Sequence, residues 1–162
     1  MRLLILSFLF ALSLPQSVLA CEKKEYRQFD FWLGEWQVSN SQNSQVSSSK
    51  ISSINNGCGI LEEYSTPTGF EGKSLNIYDK QKGKWHQTWV DNSGLLLQLD
   101  GEFKDGKMVL QGTTYDAKGI ATLNQISWQQ LEDGRVNQTW KTSADNGKNW
   151  QTLFDGYYSK VK

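Results

Sequence analysis

Phe29-Asp30-Phe31-Trp32-Leu33-Gly34-Glu35-Trp36 is the stretch on which the fold turns. Four aromatic residues fall within eight positions, and a Gly stands two places before a Trp. A dense aromatic group beside a flexible residue suits a short segment that closes one end of a β-barrel before the chain turns into its first strand. We expect one or two helical turns over residues 22–32, with Tyr26, Phe29, Phe31 and Trp32 packing under the barrel. The first strand then begins Gly34-Glu35-Trp36-Gln37-Val38, and Trp36 points inward.

Downstream, residues 39–49 are rich in Ser, Gln and Asn and read as a loose turn with fraying strand ends. After it, alternation of apolar and polar residues persists to the C-terminus. It suggests strands at about 47–55, 58–65, 72–79, 84–91, 94–102, 107–115, 120–130, 135–142 and 150–160. The turns between them carry Asn56-Gly57, Lys82-Gly83, Asp105-Gly106, Lys118-Gly119, Asp133-Gly134 and Asn146-Gly147, residues that accept the positive φ of tight hairpins. No helical pattern is long enough for a βαβ unit. The expected fold is all-β: an antiparallel up-and-down barrel of about ten strands with a short N-terminal helical segment closing one end. A sandwich is the alternative.

Side chains alternate along a strand, so Trp85, Gln87 and Trp89 share one face, as do Val136, Gln138 and Trp140. Lys141 belongs on the opposite face and resists burial, which puts the Trp/Gln faces inside. Leu95, Leu97 and Leu99 point inward by the same rule. Asn124, Ile126 and Trp128 share a further face.

The N-terminus reads as an export signal. Met1-Arg2 precedes an apolar run from Leu3 to Leu14, Pro15 breaks it, and Val18-Leu19-Ala20 offers a cleavage pattern. We take residues 1–20 as signal peptide and 21–162 as one domain, exported to the periplasm or beyond, with no transmembrane segment in the mature chain. Cys21 and Cys58 are the two cysteines. In an oxidising compartment their pairing is the favoured reading. Val18-Leu19-Ala20-Cys21 also resembles a lipobox, which would instead place a lipid anchor on Cys21. Without Arg2, 16 basic residues face 17 acidic ones. That balance argues against a nucleic-acid partner, which needs a basic surplus.

Seven Trp residues in so short a chain point to a lined interior. The residues expected to bind a small molecule are Trp36, Glu62, Tyr64, Trp85, Gln87, Trp89, Gln138 and Trp140, since aromatic walls with a few polar groups are the usual make-up of a ligand pocket. If Ile60 points inward, so do Glu62 and Tyr64. A carboxyl facing an aromatic interior titrates high and suits general acid–base work, which makes Glu62 the one catalytic candidate. His86, the lone histidine, falls on the outer face. No metal-ligand spacing, phosphate loop or nucleophile elbow is present, and nothing points to a cofactor. Ser143-Ala144-Asp145-Asn146-Gly147-Lys148-Asn149-Trp150 resembles the Asp-box hairpin, a structural turn, with Asn149 in place of its Thr.

The line from Glu25 to Trp36 resembles the start of a family of secreted bacterial proteins of unknown function, often grouped with lipocalin-like (calycin) barrels. The likeness continues through Gly57-Cys58, the Trp85–Asp91 strand, Gly101–Leu110 and the Ser143–Trp150 turn. It implies a lipocalin-like barrel and export, and brings no activity with it. Gly34-Glu35-Trp36 is similar to the Gly-x-Trp of lipocalins, in which a basic residue packs over the Trp; Arg27 or Arg135 is the expected partner. Three functions follow as expectations: a barrel holding a small apolar or aromatic ligand, a hydrolase or isomerase using Glu62, or a lipid-anchored envelope interaction protein.

Overall fold

A computed structural model of the chain describes residues 21–41 and 45–161. The expected signal peptide, with its cleavage site and the lipobox residues before Cys21, lies outside the described residues. Two short 3-10 turns, Lys24–Arg27 and Asp30–Trp32, come first. Ten strands follow: β1 (Gly34–Asn40), β2 (Val46–Ile54), β3 (Gly59–Ser65), β4 (Glu71–Asp79), β5 (Lys84–Asp91), β6 (Leu96–Lys104), β7 (Lys107–Tyr115), β8 (Ala121–Gln130), β9 (Val136–Ser143) and β10 (Gln151–Lys160). Each pairs antiparallel with its neighbours in sequence, and β1 pairs with β10 to close the barrel. Closure removes both sheet edges and excludes the sandwich.

The polar stretch after β1 is more ordered than its composition suggests. β1 runs on to Asn40 and β2 starts at Val46, within a residue of the expected strand start, so the turn proper is shorter than the polar stretch. Ser47 and Ser49 lie within β2 and are buried. Their hydroxyls face polar partners inside the barrel, which lets a serine-rich segment keep the alternation of a strand. Between β6 and β7 the chain turns on two residues. Asp105 (φ 50°) and Gly106 (φ 77°) are both left-handed, as a tight I′ hairpin requires. The Ser143–Trp150 turn is held as the Asp-box likeness implies. Ser143 Oγ accepts from the Gly147 amide (2.8 Å), Asp145 Oδ1 accepts from the Asn149 amide (2.8 Å), and Asn149 Nδ2 donates to Asp145 Oδ2 (2.6 Å).

One end of the barrel is solid. Phe29 and Trp32 are fully buried and stack with ring centroids 4.9 Å apart. Phe29 meets Trp85 and Trp128 edge-on at 5.6 and 5.2 Å. Tyr26 packs against Tyr78 at 5.3 Å and Phe31 against Phe103 at 6.1 Å. The aromatic segment therefore acts as a plug. Trp36 points inward, and its indole N–H donates to the Trp32 carbonyl (2.9 Å), tying the first strand to the plug. The basic residue over Trp36 is Lys160, with Nζ 5.3 Å from the ring centroid, and neither arginine expected there. Lys160 stands opposite Trp36 in the β1–β10 ladder, so closure of the barrel supplies the cation. Arg27 is drawn instead to the Gly57 carbonyl and to Asp30 (3.3 Å), and Arg135 to Asp133 (2.8 Å).

Cys21 and Cys58 form a disulfide across 37 positions of sequence. It fastens the start of the plug to the turn between β2 and β3. With both sulfurs in this bridge, neither is free to carry a lipid thioether. No helix among the described residues is long and apolar enough to cross a membrane.

Candidate functional site

The opposite end of the barrel holds a cavity of about 260 Å³. Its upper walls are Tyr64, Phe70, Trp89, Trp140 and Phe154, with Leu97 opposite Trp89 and Ile126 opposite Trp140 in the ladders; Glu62, Gln87, Gln138 and Tyr158 stand deeper. Of the residues expected to bind a ligand, Glu62, Tyr64, Gln87, Trp89, Gln138 and Trp140 line this space. Trp36 and Trp85 do not. They are buried (1% exposed each) at the plugged end, where Trp85 donates to Gln28 Oε1 (3.1 Å). Trp85 and Trp89 share a face, yet four residues separate them by about 13 Å along the strand. One therefore meets the plug and the other the cavity.

The wall aromatics are held in place individually. The Trp89 ring occupies the space beside Gly72, where an added Cβ would come within 2.1 Å of the ring. Its N–H donates to Asp91 Oδ2 (2.9 Å). Asp91 in turn accepts at Oδ1 from the Ser93 amide (2.9 Å). Partial burial pushes this carboxyl up, but the bonds from Ser93, Trp89 and Leu95 outweigh it and hold it below the usual range. Trp140 donates to Asn124 Oδ1 (3.0 Å), and Asn124 donates to Thr114 Oγ1 (3.0 Å) and the Thr122 carbonyl (3.1 Å). A register shift in β10 between Thr152 and Phe154 is a bulge, a feature that re-aims side chains. It sets Phe154 opposite Trp140, with its ring over Gly156.

At the floor, Glu62 is 3% exposed. Ser49 Oγ donates to Oε1 (3.1 Å), Ser74 Oγ to Oε2 (3.0 Å), and the Tyr158 hydroxyl reaches Oε1 at 3.4 Å while also donating to Gln138 Oε1. Behind this shell, Asn76 Nδ2 donates to Ser74 Oγ (2.9 Å), and Gln87 Nε2 donates to Asn76 Oδ1 (2.8 Å) and Ser74 Oγ (3.5 Å). No Lys, Arg or His forms an ion pair with Glu62 among the described residues. Burial pushes its carboxyl up to about 7, against the three hydrogen bonds, which pull it down. Burial likewise raises Tyr64 and Tyr158, with the Glu62 charge adding to both.

This titration has a consequence for stability. A glutamate in the unfolded chain titrates near 4.5, so the native state binds the additional proton between that pH and about 7. The folded state is therefore favoured in full below about pH 4.5, and the gain is lost as pH rises through about 7. The difference amounts to about 3 kcal/mol at most. Urea unfolding of wild type and Glu62→Gln should diverge in pH dependence between about pH 5 and 8.5, with the variant gaining relative stability at the alkaline end. Parallel curves would refute the assignment.

Several cavity residues escape sequence reasoning. Tyr158 is 96 positions from Glu62, and the serines at 49 and 74 carry no distinguishing local pattern. Alternation puts Asn124 on an inward face, but its role as the partner of Trp140 has no local signal. His86 lies on the outer face, between Asp100 (2.7 Å) and Thr88 (2.9 Å). Among the described residues no three His, Cys, Asp or Glu side chains gather as a metal site.

The fold and site thus define a closed ten-stranded antiparallel barrel, plugged at one end and hollow at the other. No protein-family model matches the chain, and no curated protein matches it.

Proposed function

We propose that this protein is an exported barrel that carries or senses a small, largely apolar molecule with an aromatic or similarly flat body. One observation carries the reading: a cavity of about 260 Å³ with five aromatic side chains in its walls and a hydrogen-bonded polar floor. That combination encloses an apolar body and orients one polar end. A protein built only for rigidity would fill such a space, because an unfilled core loses packing energy. Export is supported by the disulfide, which persists in oxidising compartments. The likeness of Glu25–Trp36 to the secreted lipocalin-like family agrees with both.

The test is native mass spectrometry of protein purified from its own envelope, alongside tryptophan fluorescence with a panel of small aromatic compounds. Trp89 and Trp140 should be quenched on binding. Trp89→Ala and Trp140→Ala should each weaken binding about tenfold or more, and Trp36→Phe, at the plugged end, should leave it unchanged. No co-purified mass and no quenching by any member of the panel would sink the proposal.

Catalysis is the second reading, favoured by the Glu62 carboxyl titrating near neutrality inside the cavity. A hydrolase or isomerase would use it as general acid–base. It ranks second because serine and tyrosine hydroxyls already engage both carboxyl oxygens.

A further inference from the structure

We infer that the ligand is a compact organic cation: a protonated amine on an aromatic or alkyl body, its ammonium seated at Glu62 and its body between the aromatic walls. This rests on the reading of the cavity as a binding site and names the class of molecule it selects.

Charge comes first. The ionisable acids lining the cavity are Glu62 at the floor and Asp91 near the rim, and among the described residues no Lys, Arg or His lines it. Asp91 is held anionic by its hydrogen bonds. A buried carboxylate without a counter-ion is costly, and a ligand cation is the group that would offset the cost.

Hydrogen-bond sense agrees. The Ser49 and Ser74 hydroxyls already donate to Glu62. Asn76 Nδ2 is engaged by Ser74 and the Ile60 carbonyl, and Gln87 Nε2 donates to Asn76 and Ser74. Beside the Gln138 amide N–H, what remains around the carboxylate is acceptor capacity. A carboxylate has about four lone-pair sites; the Ser49 and Ser74 hydroxyls occupy two of them, and the single Tyr158 proton is shared between Glu62 and Gln138 Oε1. Gln138 Oε1 accepts from Tyr158 and keeps a second lone pair. An acceptor-rich floor complements a head that only donates, as an ammonium does. A ligand carboxylate would meet like charge there.

The walls complete the match. Indole and phenol faces attract cations through their quadrupoles, and the attraction grows when the cation is desolvated. Trp89, Trp140 and Tyr64 present such rings above Glu62.

The groups facing Glu62 are Ser49 on β2, Ser74 on β4, Gln87 on β5, Gln138 on β9 and Tyr158 on β10, with Tyr64 on its own strand. Only the tyrosines among them titrate, and both are held above their ordinary value, so both stay neutral between about pH 5 and 8. Glu62 alone changes charge at the floor in that range.

The experiment is calorimetric titration of the full mature protein with three probes of one shape: phenethylamine, 2-phenylethanol and 3-phenylpropionate. At about pH 8 the amine should bind at least about tenfold tighter than the alcohol, and the carboxylate weakest. Glu62→Gln, verified as folded by circular dichroism, should bring the amine down to the alcohol's affinity and so abolish the amine preference. The amine preference should shrink on going from about pH 8 to about pH 5 as Glu62 takes up its proton. An alcohol or carboxylate that binds as tightly as the amine, or a preference that survives Glu62→Gln, overturns the inference and leaves the binding reading standing. Failure of all three probes to bind counts against both.

Discussion

Trp32→Ala should lower the free energy of unfolding by about 3–5 kcal/mol. Trp32 is fully buried at the plugged end of the barrel. Its ring stacks on Phe29 at 4.9 Å, leans on Trp128 at 5.5 Å and meets Tyr158 edge-on at 6.1 Å. Truncation loses the transfer energy of the indole and leaves a void, because the rings around it are fixed by strands on several sides. The loss should also loosen Trp36, whose N–H bonds the Trp32 carbonyl. Trp32→Phe is the informative companion. The Trp32 indole N–H has no hydrogen-bond partner among the described residues, so the shorter ring gives up packing but no hydrogen bond. It should cost far less than the alanine change. Denaturant unfolding of the two variants decides the matter. An alanine variant within about 1 kcal/mol of wild type, the cost of an ordinary substitution, would show that the plug does not stabilise the barrel.

Removing the disulfide should cost about 4 kcal/mol, the scale set by the loop-closure entropy withheld from the unfolded state. The bridge closes 37 positions of chain. The native state has a further dependence on it. Residues before β1 reach the barrel through packed rings and a few hydrogen bonds: Trp32 and Gln28 accept from Trp36 and Trp85, and Arg27 donates to the Gly57 carbonyl, in the same turn that holds Cys58. Without the bridge, the plug keeps its aromatic contacts but its N-terminal end can fray. The paired variant Cys21→Ala with Cys58→Ala avoids a stray thiol. Its unfolding midpoint should fall well below that of the oxidised wild type, and reduced wild type should match it. Binding of an aromatic probe at the far end should survive under conditions where the variant is folded, since Cys58 lies at the plugged end and Trp89 and Trp140 at the other. A loss of binding in a folded variant would mean that the two ends are coupled.

Strand positions are largely legible because their cause is local. An alternating face, a Gly-containing turn and a hairpin of few residues specify one another within a short run of chain, as Asp105-Gly106 between β6 and β7 illustrates. The inward assignments of Trp85, Gln87, Trp89, Leu97, Val136 and Trp128 follow from the same alternation. Height along the barrel axis does not. Trp85 and Trp89 are equivalent by period but meet different surroundings, because the plug occupies one end only. Trp36 shows the same limit: its inward direction is readable, and the neighbour that covers it is not. Serine composition blurs the start of β2, where residues 47–49 fall both in the expected turn and in the expected strand; the structure makes them strand, with the hydroxyls at 49 and 47 turned to Glu62 and Tyr64.

Sequence alone determined an all-β chain of about ten strands and an aromatic segment ahead of the first strand, since each depends on patterns spanning a few residues, while the cysteine pairing and the inward face of Glu62 stood there as favoured and conditional readings that the structure decides. Tertiary structure decided where the chain is solid and where it is hollow. The β1–β10 pairing brings Lys160 over Trp36, and barrel closure brings Tyr158 to Glu62 from 96 positions away. Those meetings depend on strand register summed around a closed sheet, a property of the whole circuit that no single stretch carries.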